Sequence, residues 1–523
     1  MRNCDNSCTF MRGIAFFVSC FLFVQSAYSK GKPPGGGGGG NGVLVEFSAS
    51  NAGTTKSIPR WGVEVAWPDE NQMVNWINAI GANEIDVVAT LFYMDEPLTG
   101  NGDIGQASKD RIDWQQFLIT LVGNQTHIQL QPATADGIDS WYYQGAPNGQ
   151  VNVQRWADLI EATAAYYSFP VDQVVPFNEP DYGWGQGTGQ NLYDIMGLIN
   201  VPGAQMSGPS TLNCDWAQPW YDAIKGRTDI GGTHAISGSM QSYIDFIGYV
   251  RGNNDIASNP EVHSLAEAIV GAEYGLDEGI WWAGPNLARS TFVLDCQHGK
   301  QLGYAEERNN WCAAAVYRAS DGSIHGFASG SERYATSTTF TFRSLDGPVY
   351  YNGAGPQNDF TVTVGAGNDT IVDISTAPSF PTGTGIQLIN RASGLALTAD
   401  GSGNGANVMV ATSVSKGPSA KAQKWTITLE GGGLYSIRSS QTGSRAVDCW
   451  NQGTANGTNI ALWDFYAQPN QLWKPVDLGN GYWRLDTASA SGQCLDAAGT
   501  SSGSNVQLWN YSGGQNQQWE IVP

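Results

Sequence analysis

Charge is scarce in this chain, and positive charge is scarcest. Of its 523 residues only 14 % are charged, with 26 Lys and Arg against 47 Asp and Glu, for a net charge of −21. So few cations exclude the basic face that a nucleic-acid partner requires. No stretch after residue 30 approaches the roughly 20 apolar residues of a spanning helix, so no membrane anchor is expected once the N-terminal segment is gone. None of the eight cysteines stands in a CxxC spacing, which argues against zinc, and no metal or other cofactor is expected. The α/β part has no G-x-S-x-G elbow and no phosphate-binding loop, so serine-hydrolase and nucleotide chemistry find no support.

What is abundant is Gly (66), Trp (19) and Tyr (21). The surface must then be mostly Ser, Thr, Asn, Gln and Gly with many aromatic rings, which suits extracellular life and contact with sugars. The N-terminus agrees. Arg2 and Arg12 precede an apolar run, and Ala27 and Ser29 fit the −3 and −1 positions of a signal cleavage site, so residues 1–29 read as an export signal and the protein as secreted, extracellular or periplasmic. Residues 30–42 form a Gly/Pro linker that cannot bury a core. Cleavage would remove Cys4, Cys8 and Cys20, leaving Cys214, Cys296, Cys312, Cys449 and Cys494, an odd set with at least one unpaired thiol.

From residue 60 apolar β-rich runs alternate with amphipathic helical patterns. Strands are expected at 61–67, 85–93, 127–133, 173–180, 204–211, 230–237, 262–267 and 280–283. Eight such repeats indicate a (β/α)8 barrel, over residues 43–310, rather than an open sheet. Period-two strands separated by Gly turns follow, and residues 311–376 read as an accessory β-sandwich that the early strand 43–47 could join.

Residues 382–523 repeat three times. Each block closes on Gln-x-Trp, at Trp425, Trp473 and Trp519, and carries an earlier Asp, namely Asp400, Asp448 or Asp496. One such block cannot bury its own apolar face, so three should close on themselves as an all-β trefoil. The segment resembles the ricin B-type β-trefoil, carbohydrate-binding module family 13. That resemblance implies sugar pockets formed by an Asp, an aromatic platform and an Asn: Asp448, Trp463 and Asn470 in the second block, and Asp496, Gln507, Trp509 and Asn516 in the third. The first block has Ala411 and Ala422 where platform and Asn should stand, so its pocket is expected to be dead. The Gln-x-Trp residues read as core.

Side chains at the C-terminal ends of barrel strands face the site. Asn178-Glu179-Pro180 ends the fourth strand, which places Glu179 for catalysis. Asn-Glu-Pro there, with a second Glu ending strand seven, resembles the retaining glycoside hydrolases of clan A. The resemblance implies that Glu179 is the general acid/base, its pKa raised by its neighbour, and that Asn178 binds the sugar 2-hydroxyl. For the nucleophile, Glu267 is preferred. Glu273 would leave only residues 276–279 for a crossover helix, and Glu261, at the start of the expected seventh strand, would face the wrong end of the barrel. His234 could orient the nucleophile. Glu64 and Gln131 could hydrogen-bond sugar hydroxyls, and Tyr182, Trp184 and Trp282 could stack on sugar faces, with Trp67, Trp141 and Tyr142 as further candidates. The expectation is a monomeric, secreted, retaining glycosidase, endo-acting on a neutral β-linked polysaccharide and held to it by the trefoil. An exo-acting glycosidase or a catalytically inactive lectin-like protein are the alternatives. Arg60, Arg289 and Arg308 are the cations that could admit an anionic chain.

Overall fold

The computed structural model describes residues 42–123, 127–147, 149–282, 284–352, 354–375, 380–478 and 481–522. The signal segment read at 1–29, and all but the last residue of the linker, lie outside them. Strand β1 (Val43–Phe47) comes first. Eight strands then close a barrel: β2 (Arg60–Glu64), β3 (Val87–Phe92), β4 (His127–Pro132), β5 (Val171–Val174), β6 (Gln205–Asn213), β7 (Ile230–Ser237), β8 (Ile256–Val262) and β9 (Glu278–Trp281). All eight pairings are parallel. A helix follows every strand: α1 (Glu70–Ile80), α2 (Gln106–Val122), α3 (Val153–Tyr166), α4 (Gly189–Leu198), α5 (Ala217–Ile224), α6 (Met240–Gly252), α7 (Leu265–Tyr274) and α8 (Leu287–His298).

Local chemistry sets these elements. In β3 all six residues, VVATLF, are buried, as they must be with helices on one face and the barrel interior on the other. Helix α1 starts at a capping box in which the Asp69 side chain accepts from Gln72 N and the Gln72 side chain reaches back to Asp69 N. Inside the barrel the fully buried Glu278 carboxylate accepts from Gln173 Nε2 at 2.7 Å and Ser258 Oγ at 2.9 Å, and pairs with Arg60 at 3.3 Å. Among the described residues no helix is long and apolar enough to cross a membrane.

The seventh barrel strand differs from expectation. It runs from Ile256 to Val262, and the segment expected to be that strand, 262–267, instead turns into α7. Pro260 sits inside the strand at an irregularity in the pairing with β9, between Asn259 and Val262, where its missing N–H costs no ladder bond. Ser264 caps α7, its side chain accepting from Glu267 N.

The sandwich begins earlier than the sequence suggests, because β10 (Lys300–Glu307) pairs antiparallel with β11 (Cys312–Arg318). With β12 (Ile324–Gly330), β13 (Thr338–Ser344), β14 (Val349–Tyr351), β15 (Ala354–Gln357), β16 (Asp359–Val364) and β17 (Asp369–Ser375), it forms a six-stranded sheet, β10-β11-β12-β17-β14-β15, and a three-stranded sheet, β1-β13-β16. Strand β1 enters in parallel, Val43 opposite Phe340. Arg289 of α8 ties this layer to the barrel: its Nε donates to Asp369 Oδ2 at 2.6 Å and its Nη2 to the His263 carbonyl at 2.5 Å.

Residues 380–522 form a single twelve-stranded β system in three repeats. Trp425, Trp473 and Trp519 are fully buried, and each indole donates to a carbonyl of its own repeat, those of Leu397, Val447 and Leu495. Each Gln of the motif accepts from a backbone N–H, of Val414, Tyr466 or Ser512, at 2.7–2.8 Å. Three asparagines from equivalent positions close a ring: Asn407 Nδ2 donates to Asn505 Oδ1 (2.9 Å), Asn505 Nδ2 to Asn459 Oδ1 (2.8 Å) and Asn459 Nδ2 to Asn407 Oδ1 (2.9 Å). The trefoil packs on the barrel. Leu472 belongs to the core built around the barrel, Asn75 Nδ2 of α1 donates to Gln452 Oε1 at 2.9 Å, and Asn78 Nδ2 donates to the Ser489 carbonyl. All five cysteines of the described residues are buried free thiols.

Candidate active site

Beyond β5 the chain continues through Val175, whose N–H donates to Leu130 O, to the buried Phe177 and Asn178. Gln186 clamps Asn178 on both backbone groups: Gln186 Oε1 accepts from its N–H at 3.0 Å and Gln186 Nε2 donates to its carbonyl at 2.6 Å. Glu179 then takes φ 50° and ψ 51°, a left-handed conformation costly to any residue with a Cβ. The surroundings hold it there. Its N–H donates to Ser210 O at 2.8 Å, and Asp181, two residues on, accepts from Leu212 N and Asn213 N at 2.8 and 3.0 Å. Asp181 is thus a clip between this loop and β6.

The carboxylate facing Glu179 is that of Glu261, at the C-terminal end of β8. His234, fully buried on β7, stands between them, its Nδ1 3.3 Å from Glu179 Oε1 and 3.6 Å from Glu261 Oε2. Side-chain oxygens of the two glutamates and the His234 nitrogen all lie within 4.8 Å of one another. Trp184 Nε1 donates to Glu179 Oε2 at 3.2 Å, and Asn178 Nδ2 donates to Glu261 Oε1 at 3.4 Å. On the other flank His263 places Nε2 3.5 Å from Glu261 Oε2 and Nδ1 3.3 Å from Glu332 Oε2, a carboxylate supplied by the sandwich.

The electrostatics follow from that arrangement. Burial pushes the Glu179 carboxyl up, but the hydrogen bond and charge of His234, the Trp184 indole and the His263 charge outweigh it, and the group ends below its ordinary range. This reverses the raised pKa expected for Glu179, because a cation was not foreseen between the carboxylates. Burial lowers the His234 pKa, yet the Glu261 charge and the bond to Glu179 raise it above its ordinary value. For His263 burial again lowers, while Glu261 and Glu332 raise, and the result is about 9.

Glu267, the expected partner of Glu179, is on helix α7 and not on a strand. It is 1 % exposed, and its carboxylate is used up by Asn259 Nδ2 (3.1 Å), His263 N (3.2 Å) and Ser264 Oγ (2.9 Å). Burial raises its pKa, against the lowering by His263, Ser264 and Asn259. Glu273, the rival choice, bonds Lys56 Nζ at 2.8 Å and Gln301 Nε2 at 3.1 Å and also belongs to α7. His234 therefore bridges Glu179 to Glu261. From the sequence Glu261 is set aside as facing the wrong end of the barrel, and His263 and Glu332 give no signal. The Ser264-x-x-Glu267 spacing, a helix-start signature, was the signal that could have moved the strand back onto Glu261.

Of the other candidates, Glu64 is fully buried at the end of β2 and its Oε2 accepts from Ala66 N at 2.6 Å and Trp67 N at 3.0 Å. Gln131 is fully buried on β4, and neither atom of its amide has a hydrogen-bond partner among the described residues. Tyr182 is exposed and tilts against the half-buried Trp184, ring centroids 5.3 Å apart. Trp282 is half-buried beyond β9 and its N–H donates to Val262 O. Tyr142 is core, its hydroxyl donating to Glu96 O, and Trp141 lies under Arg155. The three arginines considered for anions are engaged: Arg60 with Glu278, Arg289 with Asp369, Arg308 with Glu306.

In the trefoil the Asp448 carboxylate accepts from Asn470 Nδ2 and Gln471 Nε2, both at 2.9 Å, beside Trp463, which meets Trp450 edge to face at 5.4 Å. Asp496 accepts from Gln507 Nε2 at 3.0 Å and Asn516 Nδ2 at 2.7 Å, with Trp509 exposed beside it. Burial pushes Asp448 up to about 7, against the lowering by its two amide donors. In the first repeat Asp400 is exposed rather than held in such a cluster.

Residues 384–519 match the family model of the ricin-type β-trefoil lectin domain, and this part of the chain is such a domain. The chain matches no curated protein. Among solved structures it is similar to a designed 3-fold symmetric protein, ThreeFoil, with 37 % identity over 26 % of this chain and 97 % of that one and a TM-score of 0.25. It is also similar to a GH30 endoxylanase from Clostridium papyrosolvens, with 14 % identity over 64 % of this chain and 100 % of that one and a TM-score of 0.43. A glycoside hydrolase family 30 subfamily 8 xylanase from Clostridium acetobutylicum has 11 % identity over 65 % of this chain and 100 % of that one, with a TM-score of 0.40.

Proposed function

We propose that the chain is a secreted, retaining O-glycosyl hydrolase that cuts within neutral β-linked polysaccharide chains, with Glu261 as nucleophile, Glu179 as acid/base and the trefoil as its hold on the polymer. One observation carries this reading: two carboxylates from different strand ends meet within 4.8 Å across one buried imidazole. Retaining glycosidases keep their pair about 5–5.5 Å apart and inverting ones about 6.5–9.5 Å, so the close approach favours retention.

In the first step Glu261 attacks the anomeric carbon while the bond to the leaving oxygen breaks and Glu179 gives that oxygen a proton. Glu179 needs that proton first. Its source is His234, 3.3 Å away. A sugar seated over the pair removes water, and a neutral imidazole beside a neutral carboxyl then outcompetes the separated charges. In the second step Glu179, now a carboxylate, takes a proton from the water that attacks the anomeric carbon and frees Glu261. His263 sets its Nε2 3.5 Å from one Glu261 oxygen, and Asn178 steadies the other.

The test is reducing-sugar release from a panel of neutral polysaccharides, followed by NMR of the first-formed anomer. Release that keeps the β configuration and disappears in Glu179→Gln and Glu261→Gln supports the reading. No release from any glycan that the protein binds would leave a lectin.

A further inference from the structure

We infer that the barrel rim carries a second glycan-binding site, over its first three strands, that takes an uncharged sugar unit of a polymer. A cavity of about 390 Å³ lies there, walled by Trp67 after β2, Tyr93 after β3, Asp136 after β4 and Asp110, Arg111 and Trp114 of α2. Its size falls in the roughly 300–1,000 Å³ range of clefts that hold small ligands. The site opens on the same end of the barrel as Glu179 and Glu261 but over the first three strands, whereas those two residues follow or end the fourth and seventh.

Aromatic exposure is the first argument. Trp67 is 65 % and Trp114 44 % exposed, so two indoles stand partly open to solvent at one cavity. Isolated exposed apolar residues need no explanation, whereas paired large ones around a concavity mark a binding surface. Phe117, one turn along α2, stacks tilted on Trp114 at 5.4 Å and lengthens the aromatic strip down the helix. The CH face of a pyranose fits such rings, and a strip suits successive units of a chain.

The second argument is a rigid polar wall. The Arg111 guanidinium lies 3.7 Å from the Tyr93 ring centroid and is gripped by Asp95, at 2.6 and 3.1 Å, and by Asp136, at 3.4 Å. Tyr93 is itself fixed by Gln115, whose Nε2 donates to its hydroxyl at 2.6 Å. The buried Nε of Arg111 has no hydrogen-bond partner among the described residues, a donor left over beside the cavity. Planar donors and carboxylates held in place before binding are what hydroxyl recognition needs.

Charge selects the ligand. Arg111 is already matched by Asp95 and Asp136, and Asp110 adds a further carboxylate, so the wall is net negative. A uronate or sulfated unit would find no free cation, and a neutral unit loses nothing. The choice of a glycan rests on the glycan-acting reading above, while the cavity and its rings do not.

Affinity electrophoresis of the full chain tests this, using soluble arabinoxylan, mixed-linkage β-glucan and β-1,4-galactan, with polygalacturonate as the acidic probe. Asp448→Ala and Asp496→Ala silence the trefoil pockets, and Glu261→Gln prevents hydrolysis. At least one neutral polymer should still retard this background, and adding Trp67→Ala with Trp114→Ala should weaken that retardation about tenfold, the equivalent of about 1.4 kcal/mol. Trp67→Phe with Trp114→Phe, which keeps aromatic faces, should recover most of it. Retardation absent from every neutral polymer, unaltered by the alanine pair, or stronger with polygalacturonate would overturn the inference. If wild type releases no reducing sugar yet the alanine pair abolishes retardation, the site stands and the hydrolase reading falls.

Discussion

Glu261 and His263 flank Val262, and the imidazole turns back so that its Nε2 stands 3.5 Å from the Glu261 carboxylate while its other nitrogen meets Glu332 from the sandwich, 3.3 Å away. The sandwich therefore reaches the candidate site through one side chain. His263 has its pKa raised to about 9 because Glu261 and Glu332 outweigh burial. A raised basic group contributes stability that is complete below its unfolded value, about 6.5, and is lost as pH rises through 9. Under the proposed mechanism activity should fall on the same alkaline limb. Glu332→Gln should move that limb down by about one pH unit. A pH–rate profile of kcat/KM reads this directly, and a limb that does not move would separate Glu332 from the reaction.

The two glutamates six residues apart should behave oppositely. Glu261→Gln should lower kcat by about 10⁴-fold or more, as loss of a nucleophile does. Azide added to Glu261→Ala should restore turnover and yield a glycosyl azide of inverted configuration. Glu267→Gln should keep kcat within about tenfold but lose about 1–3 kcal/mol of stability, because a buried acceptor of three hydrogen bonds is altered. Steady-state kinetics and thermal melts of the same variants give both readouts.

Asp448 should make the trefoil pH-sensitive. Its carboxyl, raised by burial to about 7, carries a proton in the fold at pH 5 and not at pH 8. A folded value above the unfolded 3.8 means a contribution to stability that is present at low pH and disappears as pH rises through 7. Sugar binding should run the other way, since the carboxylate is the better acceptor. Glycan affinity of Asp496→Ala, in which only the second pocket works, should therefore drop between pH 8 and pH 5, and isothermal titration at the two pH values checks it.

The asparagine ring offers a test of the trefoil's closure. Asn407→Ala removes two of the three ring bonds and leaves the Asn505 Oδ1 and Asn459 Nδ2 atoms unpaired. The three residues are half-buried, so the cost should be about 1–2 kcal/mol. Melting monitored by near-UV circular dichroism, where the buried indoles report, measures it.

Much of this architecture was legible. Strand–helix alternation marked seven of the eight barrel strands, and Asn178-Glu179-Pro180 marked the place of Glu179 in the candidate site because a strand end and a turn coincide there. The Gln-x-Trp repeats marked the trefoil core, since only a buried indole with its own carbonyl acceptor recurs so regularly. The seventh strand slipped for a physical reason. Asn259-Pro260 looks like a turn, yet Pro260 sits at a pairing irregularity where no ladder bond is owed, and the apolar run Leu265-Ala266 looks like a strand until Ser264 is seen as its cap. One misplaced boundary exchanged Glu261 for Glu267. The contact of His263 with Glu332 had no local signal at all, because their meeting depends on how the sandwich packs on the barrel.

The trefoil does not hang from the barrel on a leash. Leu472 shares the barrel's core, and Asn75 and Asn78 of α1 grip it through Gln452 and Ser489. Its Asp448 and Asp496 clusters and the mouth holding Glu179 consequently keep a constant vector, so under the proposed function a polymer gripped by the trefoil would meet that mouth at a set number of sugar units. Product lengths would then be stamped by geometry, in the manner of a caliper.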